Sequence, residues 1–373
     1  MTDQSRDDAI TYASAGVDTE AGDRAVELMK ASVARATRPE VMGQIGGFAG
    51  FFDASALQRM ERPLLTTSTD GVGTKIAIAR ELDRHDTIGH DLVAMVVDDI
   101  VVSGAEPLFM TDYIACGAVE PERIARIVAG IAEGCEIAGV ALVGGETAEH
   151  PGLMEPDEYD LAGAATGVVD AADVLGPERV VPGDVVLCIA SSGLHSNGFS
   201  LVRRVVEHAG LSLTDEIPEF GRTLGEELLE PTRIYTKPLL EVLRATEVHA
   251  LSHVTGGGLA ANLARVMPAG TFATVDRATW APAPVFDAIA RWGNVPREDL
   301  EGTLNQGVGF VAVLPAASVE AACEVLDAHG IDAWVAGEVT ADAGSGRGAE
   351  VDEWVTGAKG VQGGSVALVG EHS

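Results

Sequence analysis

Lysine is nearly absent from this chain. Only four of its 373 residues are lysine, at positions 30, 75, 237 and 359, and the other 21 of its 25 basic residues are arginine. Aromatic residues make up 5% of the sequence, which argues against an aromatic-rich β-sandwich. No apolar run approaches the roughly 18 residues that a membrane-spanning helix needs. The 46% of hydrophobic residues, mostly small or aliphatic, instead favour closely packed α/β layers.

Positive charge is scarce as a whole. The 25 basic residues are outnumbered by 57 acidic ones, which gives a formal net charge of −32. Such a chain repels polyanions, so neither nucleic acid nor an anionic membrane is expected as a partner. The simplest interpretation is a solvated acidic surface. Together with the loss of lysine, the charge predicts adaptation to high intracellular salt, as in a halophile, and lower stability at low salt.

Cysteine gives no metal or disulfide signal. Cys116, Cys135, Cys188 and Cys323 are widely spaced and include no Cys-x-x-Cys pair, so buried free thiols are expected. The first 24 residues are polar and acidic, unlike a secretory signal peptide. These features predict a soluble, cytoplasmic protein.

Strands and helices alternate along the sequence. Strand-like stretches such as "PLLTTSTD" and "YDLAGAATGVVD" are separated by helical stretches such as "ERIARIVAGIAEGCEIAG". This alternation predicts an α/β fold. Turn-forming residues cluster within 170–182, which predicts two domains, residues 1–175 and 176–373. The polar, glycine-rich stretch at 341–350 is expected to be a flexible loop.

The stretch "STDGVGTK" places a lysine in a glycine-rich turn after a strand. Gly71 and Gly73 allow a tight turn and the close approach of a ligand, whose phosphate oxygens the backbone N–H groups and Lys75 would bind. Asp70 and Thr74 lie in the same loop, and a carboxylate there suits Mg²⁺. The loop does not match the Walker A pattern. A hairpin turn with a solvent-facing lysine is the alternative, but a lysine kept in a lysine-poor chain favours a functional role.

Acidic residues interrupt two otherwise apolar stretches. Asp98 and Asp99 lie in the helical stretch "VAMVVDDIVV", where adjacent side chains point about 100° apart, so only one is expected to face a site. Glu146 and Glu149 follow two glycines in "LVGGETAE". Buried carboxylates need a partner or a metal, and oxygen ligands from several loops suit a Mg–nucleotide site. A polar helix stripe and an ordinary acidic loop are the alternatives.

Two strand-to-helix junctions carry a histidine beside glycines. The first, "GLHSNGFSL", contains His195, Ser196 and Asn197. The second, "HVTGGGLAANL", contains His253, Thr255, Gly256, Gly257 and Gly258. Unpaired N–H groups at the start of a helix bind anions readily. Simple N-capping by Ser196 or Asn197 is the alternative at the first junction. Three glycines weaken a helix, so at the second junction a nearby ligand phosphate is the favoured explanation.

In their order along the chain, these stretches resemble the phosphoribosylformylglycinamidine cyclo-ligase (AIR synthetase) family. The resemblance runs from "AGVDTEAGDRAVELMK" to about residue 340 and includes "STDGVGTK", "LVGGETAE", "GLHSNGFSL", "EPTRIYTKPLL", "HVTGGG" and "NQGVGF". It implies an N-terminal α/β domain whose sheet pairs across a homodimer into a barrel, and a C-terminal, sandwich-like α/β domain. It also implies that ATP, Mg²⁺ and a ribonucleotide substrate bind in a cleft between the domains.

The resemblance also implies roles for individual residues. The implied ATP-binding residues are Lys30, Asp70, Gly71, Gly73, Thr74, Lys75, Asp99 and Glu146, of which Asp70, Asp99 and Glu146 would be the Mg²⁺ ligands. The implied substrate-binding residues are His195, Ser196, Asn197, Thr232, Tyr235, His253, Thr255, Gly256, Gly257 and Gly258. The chain departs from the family at two positions: Ala13 stands where a lysine is usual, and Asp98 where an asparagine is usual.

The activity implied by the resemblance is ATP-dependent ring closure of formylglycinamidine ribonucleotide to aminoimidazole ribonucleotide, ADP and phosphate, in de novo purine biosynthesis. A formamide carbonyl is a poor electrophile, so transfer of the γ-phosphoryl group to the formyl oxygen would activate it for attack by the amidine nitrogen. Lys75 is expected to neutralise phosphate charge, and His253 or His195 to transfer a proton. Another ATP-using member of the superfamily and a non-catalytic nucleotide-binding scaffold are the alternatives.

Overall fold

The structure is a computed structural model that describes residues 15–43, 47–341, 354–357 and 362–372. Ala13, Lys359 and residues 342–350 of the predicted flexible loop lie outside the described residues. The described chain builds two sheets with helices packed against them, so the predicted α/β class is confirmed.

The N-terminal half is built around a four-stranded sheet. Its helices are α1 (Thr19–Val33), α2 (Ile76–Glu81), α3 (Ile88–Val101) and α4 (Pro121–Ala138). Its strands are β1 (Val41–Met42), β2 (Phe51–Phe52), β3 (Pro63–Gly71), β4 (Glu106–Cys116), β5 (Ala141–Glu149) and β6 (Tyr159–Asp170). The sheet has the order β3-β6-β4-β5, in which β4 and β5 are parallel and the other neighbours antiparallel. The short strands β1 and β2 pair with each other.

The C-terminal half is built around a seven-stranded sheet. Its helices are α5 (Phe199–Ala209), α6 (Leu224–Leu228), α7 (Thr236–Ala245), α8 (Gly258–Arg265), α9 (Pro284–Gly293), α10 (Arg297–Glu301) and α11 (Val319–Ala328). Its strands are β7 (Val185–Ala190), β8 (Glu216–Ile217), β9 (Arg222–Thr223), β10 (Ala250–His253), β11 (Phe272–Asp276), β12 (Val308–Leu314), β13 (Ala333–Thr340), β14 (Val355–Thr356) and β15 (Ser365–Val369). The sheet order is β10-β12-β7-β13-β11-β15-β14, and β8 pairs with β9.

The helix α3 is the central element of the N-terminal half. It lies against β3 and β6 on one side and against α4 on the other. This position explains its composition, since nearly every side chain from Ile88 to Val101 is buried. The helix α4 begins with a proline in its first turn. Gly139 is its C-cap, with a φ of +76° that favours glycine.

One face of the four-stranded sheet has no described helix over it. Residues of β6 alternate between buried and exposed from Tyr159 to Ala164, as in a strand with one covered face. On the uncovered face, Leu65 is 67% exposed and Tyr113 is 41% exposed. We call this surface the open face, and its exposed apolar side chains bear on assembly.

One buried hydrophobic cluster extends across both halves, and the C-terminal half has a further cluster of its own. Val72, Ile76 and Leu92 of the first half belong to the same buried cluster as Leu194 and Phe199 of the second. Burial of this shared surface stabilises both halves together. The junction between them therefore has a defined geometry, and the candidate site lies along it.

Candidate active site at the junction of the two halves

The glycine-rich turn at the end of β3, residues 70–75, forms part of this junction. Gly73 has a φ of +75°, a conformation that glycine adopts without strain. A side chain at Gly71 would come within 2.8 Å of the carbonyl oxygen of Leu161, so the neighbouring strand also requires a glycine there. The loop turns directly into α2, and Asp70 stands at its start with Oδ1 accepting a hydrogen bond from the Gly71 N–H at 2.7 Å.

The first of two clefts opens beside this loop and has a volume of about 470 Å³. It is lined by residues 70–74, Met95, residues 160–162 and residues 196–200, so both halves of the chain contribute to it. Asn197 donates from Nδ2 to the Met95 sulfur at 3.5 Å, and Thr74 exchanges a hydrogen bond with Ser200 at 3.1 Å. The structure thus brings the predicted ATP-side loop next to the predicted substrate-side residues Ser196 and Asn197.

The second cleft has a volume of about 300 Å³ and again joins the two halves. Its lining residues are Thr67, Ser68, Asp99, Val102, Ser252, His253, Thr255, Asn262, Arg265 and Val266. His253 stacks on Phe310 and shares a hydrogen bond of 2.9 Å between its Nδ1 and Oδ1 of Asp99. An ionised Asp99 would accept from Nδ1–H, which leaves the lone pair on Nε2, a buried atom without a hydrogen-bond partner in the described part of the chain.

The two clefts are electrostatically linked through their carboxylates. Burial raises the pKa of Asp70, and the negative charge of Asp99 adds to this rise while His253 opposes it. Two carboxylates that interact in this way form a negative site that favours a cation. Asp70 therefore interacts electrostatically with both Asp99 and His253, although it lines the other cleft.

The adjacent acids Asp98 and Asp99 point in different directions. Asp98 is fully buried and accepts hydrogen bonds from the Tyr235 N–H at 3.1 Å and the Thr236 hydroxyl at 2.8 Å. Its burial raises the pKa of Asp98 to about 6. Only Asp99 reaches a cleft, as the helical spacing predicted. Tyr235 is itself fully buried and donates from its hydroxyl to the Ala190 carbonyl, so its predicted substrate contact is replaced by a structural role.

Lys75 is fully buried and does not line either cleft. Its ammonium donates to Asp91 Oδ1 at 2.8 Å, the His195 carbonyl at 3.1 Å and the Glu230 carbonyl at 2.7 Å. An ammonium has three N–H donors, and all three are used. Neither expectation for Lys75 fits this geometry, because the side chain is neither exposed to solvent nor available to a phosphate. Lys75 therefore has a structural role, because its buried hydrogen bonds link the two halves.

Two other predicted substrate residues belong to the same buried network. Thr232 donates from its N–H at 2.9 Å and from its hydroxyl at 2.6 Å to Asp91. His195 is 2% exposed, has a φ of +62°, and accepts from the Ser192 N–H through Nε2. Burial, together with the positive charges nearby, lowers the pKa of His195 well below its usual value, so it is neutral at pH 7. Both residues hold the junction rather than line a cleft.

The glycines at the second junction are required mainly by local geometry. Gly257 and Gly258 have positive φ angles of +104° and +71°, and a side chain at Gly258 would collide with the Glu301 carbonyl. Close approach of a ligand is not needed to explain them, which corrects the sequence-based argument. Only ordinary contacts surround Gly256, which faces Asn197. At the first junction Gly198 is the N-cap, and Ser196 instead donates to the Val72 carbonyl at 2.7 Å.

Glu146 and Lys30 lie away from the two clefts. Across the sheet, Asp70 is paired in register with Gly163, then Asp112, then Gly145, which separates β3 from β5 by three strand spacings, about 14 Å. Glu146 pairs with Tyr113 and shares its open face, opposite to Asp70. Lys30 is exposed on α1 and pairs with Glu27. Among the described residues, no cluster of three or more Asp, Glu, His or Cys side chains could hold a metal ion. One copy of the chain therefore does not assemble the predicted three-carboxylate Mg²⁺ site.

Sequence reasoning missed three buried or cleft-lining polar residues. Asp91 stands in the buried stretch of α3 that also contains Asp98, and its position in an apolar run was the available signal. Arg265 lines the second cleft, and nothing in its local sequence marked it. Asp112 is buried in a cavity of about 540 Å³ between α1, α4 and the end of β5, where burial raises the pKa of Asp112 to about 7.

Comparisons with known proteins agree with this architecture. Residues 52–169 match the model of the AIR synthase related protein N-terminal domain, and residues 181–349 match that of the corresponding C-terminal domain. A phosphoribosylformylglycinamidine cyclo-ligase from Shouchella clausii is 50% identical over 335 residues, which cover 90% of this chain and 97% of that protein.

Solved structures share the fold at low sequence identity. Thiamine-monophosphate kinase from Stenotrophomonas maltophilia superposes with a TM-score of 0.61 at 19% identity, over 94% of this chain and 97% of that one. The hydrogenase maturation protein HypE, solved in complex with ATP, gives a TM-score of 0.58 at 19% identity, over 86% of this chain and 87% of that one. Within the described residues, every helix is too short or too polar to cross a lipid bilayer.

Proposed function

Since this chain belongs to the phosphoribosylformylglycinamidine cyclo-ligase family, we propose that the two clefts at the junction of its halves form the active site of that ring closure. The chain is a ligase of purine biosynthesis that closes the imidazole ring of formylglycinamidine ribonucleotide. The observation that carries the assignment of the site is that both halves of the chain line each cleft, with Asp70 in the first and the hydrogen-bonded pair of Asp99 and His253 in the second.

ATP is proposed as the second substrate. The family resemblance supports this, and HypE, which has the same fold, was solved in complex with ATP. The clefts have volumes of about 470 and 300 Å³, which are typical of small-molecule binding sites. Transfer of the γ-phosphoryl group to the formyl oxygen requires the two reactants to lie in line. A site between two halves of a chain can hold one reactant from each side.

Mg²⁺ is proposed to bind at Asp70 and Asp99. The donors fit this ion, because Mg²⁺ in nucleotide enzymes takes one or two carboxylates and fills its other positions with phosphate oxygens and water. Asp99 uses only Oδ1 for His253, and its Oδ2 accepts no hydrogen bond from the described residues. The bound ion would neutralise charge on the phosphate groups.

His253 is proposed to move the proton during ring closure. Asp99 fixes the orientation of the imidazole through Nδ1, and Phe310 holds the ring plane by stacking at a centroid distance of 5.1 Å. Nε2 is a buried atom without a hydrogen-bond partner among the described residues, and its lone pair is proposed to accept a proton from the attacking amidine nitrogen. Lys75 and His195 are proposed to act indirectly, by holding the loops that carry Asp70 and Asn197.

A homodimer formed through the open face is also proposed. The open face of the four-stranded sheet carries exposed apolar side chains, including Leu65 and Tyr113, which a second sheet could cover to form a barrel. Glu146 lies on this face, about three strands from Asp70 in its own subunit. A partner sheet on this face would cover Glu146 on the side of the sheet opposite to Asp70. A cytoplasmic location and adaptation to high salt are also proposed, the latter from the net charge of −32.

The decisive test measures ADP release by the purified protein in molar salt with Mg–ATP. Release should depend on added formylglycinamidine ribonucleotide, and aminoimidazole ribonucleotide should form in equal amount. ADP release that ignores the ribonucleotide, or ATP binding without any turnover, would refute the proposed reaction.

A further inference from the structure

Phosphoryl transfer needs a positive group near the phosphate, and Lys75 cannot supply it. Protein cations at the transferred group neutralise the charge that spreads over its oxygens. All three N–H donors of Lys75 are bound inside the protein. The first cleft is lined by Asp70 and Asp160 and by no lysine or arginine among the described residues. The question is therefore which side chain takes the place predicted for Lys75.

Arg265 is the one lysine or arginine among the described residues that line the two clefts. It stands in the last turn of α8, beside His253 and Thr255. Arg265 makes no ion pair with a carboxylate of the described residues, unlike Arg277 and Arg297, which pair with Glu301 and Glu371. Asp99 lines the same cleft but is hydrogen-bonded to His253, so in a chain with a net charge of −32 the Arg265 guanidinium is left available for an anion from outside the chain.

A hydrogen bond holds the Arg265 guanidinium in place, but not all of its N–H groups have an acceptor among the described residues. Nη1 donates to Asn262 Oδ1 at 3.1 Å, and Nε is buried without an acceptor. Asn262 is 2% exposed and donates from Nδ2 to the Gly258 carbonyl at 2.8 Å and the Thr255 carbonyl at 3.2 Å. The guanidinium is thereby tied to the turn that enters α8. A fixed guanidinium loses less side-chain entropy when it binds a ligand.

We propose that Arg265 binds a phosphate group of the reactants in the second cleft. This inference rests on the proposed function, and it names a residue that the sequence motifs did not. A guanidinium presents a planar pair of donors that match two phosphate oxygens, and Ser252 and Thr255 add hydroxyl groups to the same cleft. The phosphate belongs either to the ribonucleotide or to ATP, and both carry the chemistry that this cleft recognises.

The test compares Arg265→Gln with Arg203→Gln in the full chain. Arg203 is exposed on α5 and makes no ion pair with a described residue, so its substitution removes the same charge outside the clefts. Relative to this control, Arg265→Gln should lower kcat/KM by about 10- to 100-fold, since a charge-assisted hydrogen bond is lost. A raised KM for the ribonucleotide alone would assign its 5′-phosphate to Arg265. A raised KM for ATP, or a lowered kcat, would assign the γ-phosphoryl group.

A binding measurement separates this proposal from the proposed reaction. Inorganic phosphate should raise the Tm of the unsubstituted protein and of Arg203→Gln but not that of Arg265→Gln, whether or not turnover is seen. Arg265→Lys keeps the charge and a similar stem, so it should fold while losing much of the affinity of the planar fork. If the kinetic constants and phosphate response of both Arg265 variants match those of Arg203→Gln, the proposal is overturned.

Discussion

Replacing Lys75 by methionine should destabilise the folded protein through Asp91. Both side chains are fully buried, and their charged groups lie 2.8 Å apart. Methionine fills a similar volume but removes the ammonium, so the Asp91 carboxylate would be left in the interior without a counter-charge. Breaking a buried pair by removing one partner costs about 3–5 kcal/mol. That is a large share of the roughly 5–15 kcal/mol by which native proteins are stable.

The loss of stability in Lys75→Met has an upper limit, because the unpaired Asp91 carboxylate can take up a proton. For an ordinary aspartic acid this costs about 4 kcal/mol at pH 7 and about 1.5 kcal/mol at pH 5. In the variant, the folded state would then bind one proton more than the unfolded state, so its stability falls as the pH rises. The deficit relative to the unsubstituted protein should therefore grow by about 2.7 kcal/mol between pH 5 and pH 7.

Urea titrations at fixed molar salt measure this deficit, and a double-mutant cycle with Asp91→Asn isolates the pair. Asn keeps an oxygen to accept from Thr232, so the double variant should be less destabilised than the two single variants would add up to. The reasoning fails if Lys75→Met unfolds at the same urea concentration as the parent while turnover is abolished. That result would return Lys75 to the role of a phosphate ligand.

Three further predictions concern pH, salt and assembly. Because burial raises the pKa of Asp112 to about 7, its stabilising contribution is complete at low pH and is lost as the pH rises from about 4 to 7. Asp112→Asn should remove this loss, worth up to about 4 kcal/mol in urea titrations, and identical pH profiles would contradict it. Raising KCl from about 0.1 M to 2 M should raise the urea midpoint by screening the acidic surface, and a flat profile would count against that account. Leu65→Asp should convert a sedimenting dimer into monomers while Val335→Asp, on the other sheet, should not; equal behaviour would leave the open face without its proposed role.

The sequence was informative about the helices and strands and about which stretches lie at the candidate active site. The strands "PLLTTSTD" and "YDLAGAATGVVD" correspond to β3 and β6, and the buried helix before Gly104 corresponds to α3. The helical spacing also separated Asp98 from Asp99 correctly, because one residue rotates a side chain by about 100°. Periodicity and turn residues report local geometry, and these predictions needed nothing else.

The roles of side chains were harder to predict, because they depend on contacts distant in sequence. Lys75 meets the Glu230 carbonyl, 155 residues away, and no local pattern shows that all its donors are used there. Glu146 lies in β5 rather than in a loop after it, and its distance from Asp70 follows from a strand order that the sequence did not reveal. The rarity of lysine marked Lys75 as important, but it could not distinguish a buried structural lysine from one that binds a phosphate group.

In the helix α3, residues that hold the two halves together lie next to a residue that lines a cleft, so their roles are hard to separate from the sequence. Asp91, Met95 and Asp98 are spaced at i, i+4 and i+7, so they share one stripe, and each contacts the C-terminal half through Thr232, Asn197 or Tyr235. Asp99 is the next residue and lies about 100° around the helix, where it meets His253 at the edge of the cleft. The same helix therefore docks the two halves and presents the carboxylate that orients the histidine. A change that rotated or shifted α3 would alter both at once, so losses of stability and of activity in this helix should occur together.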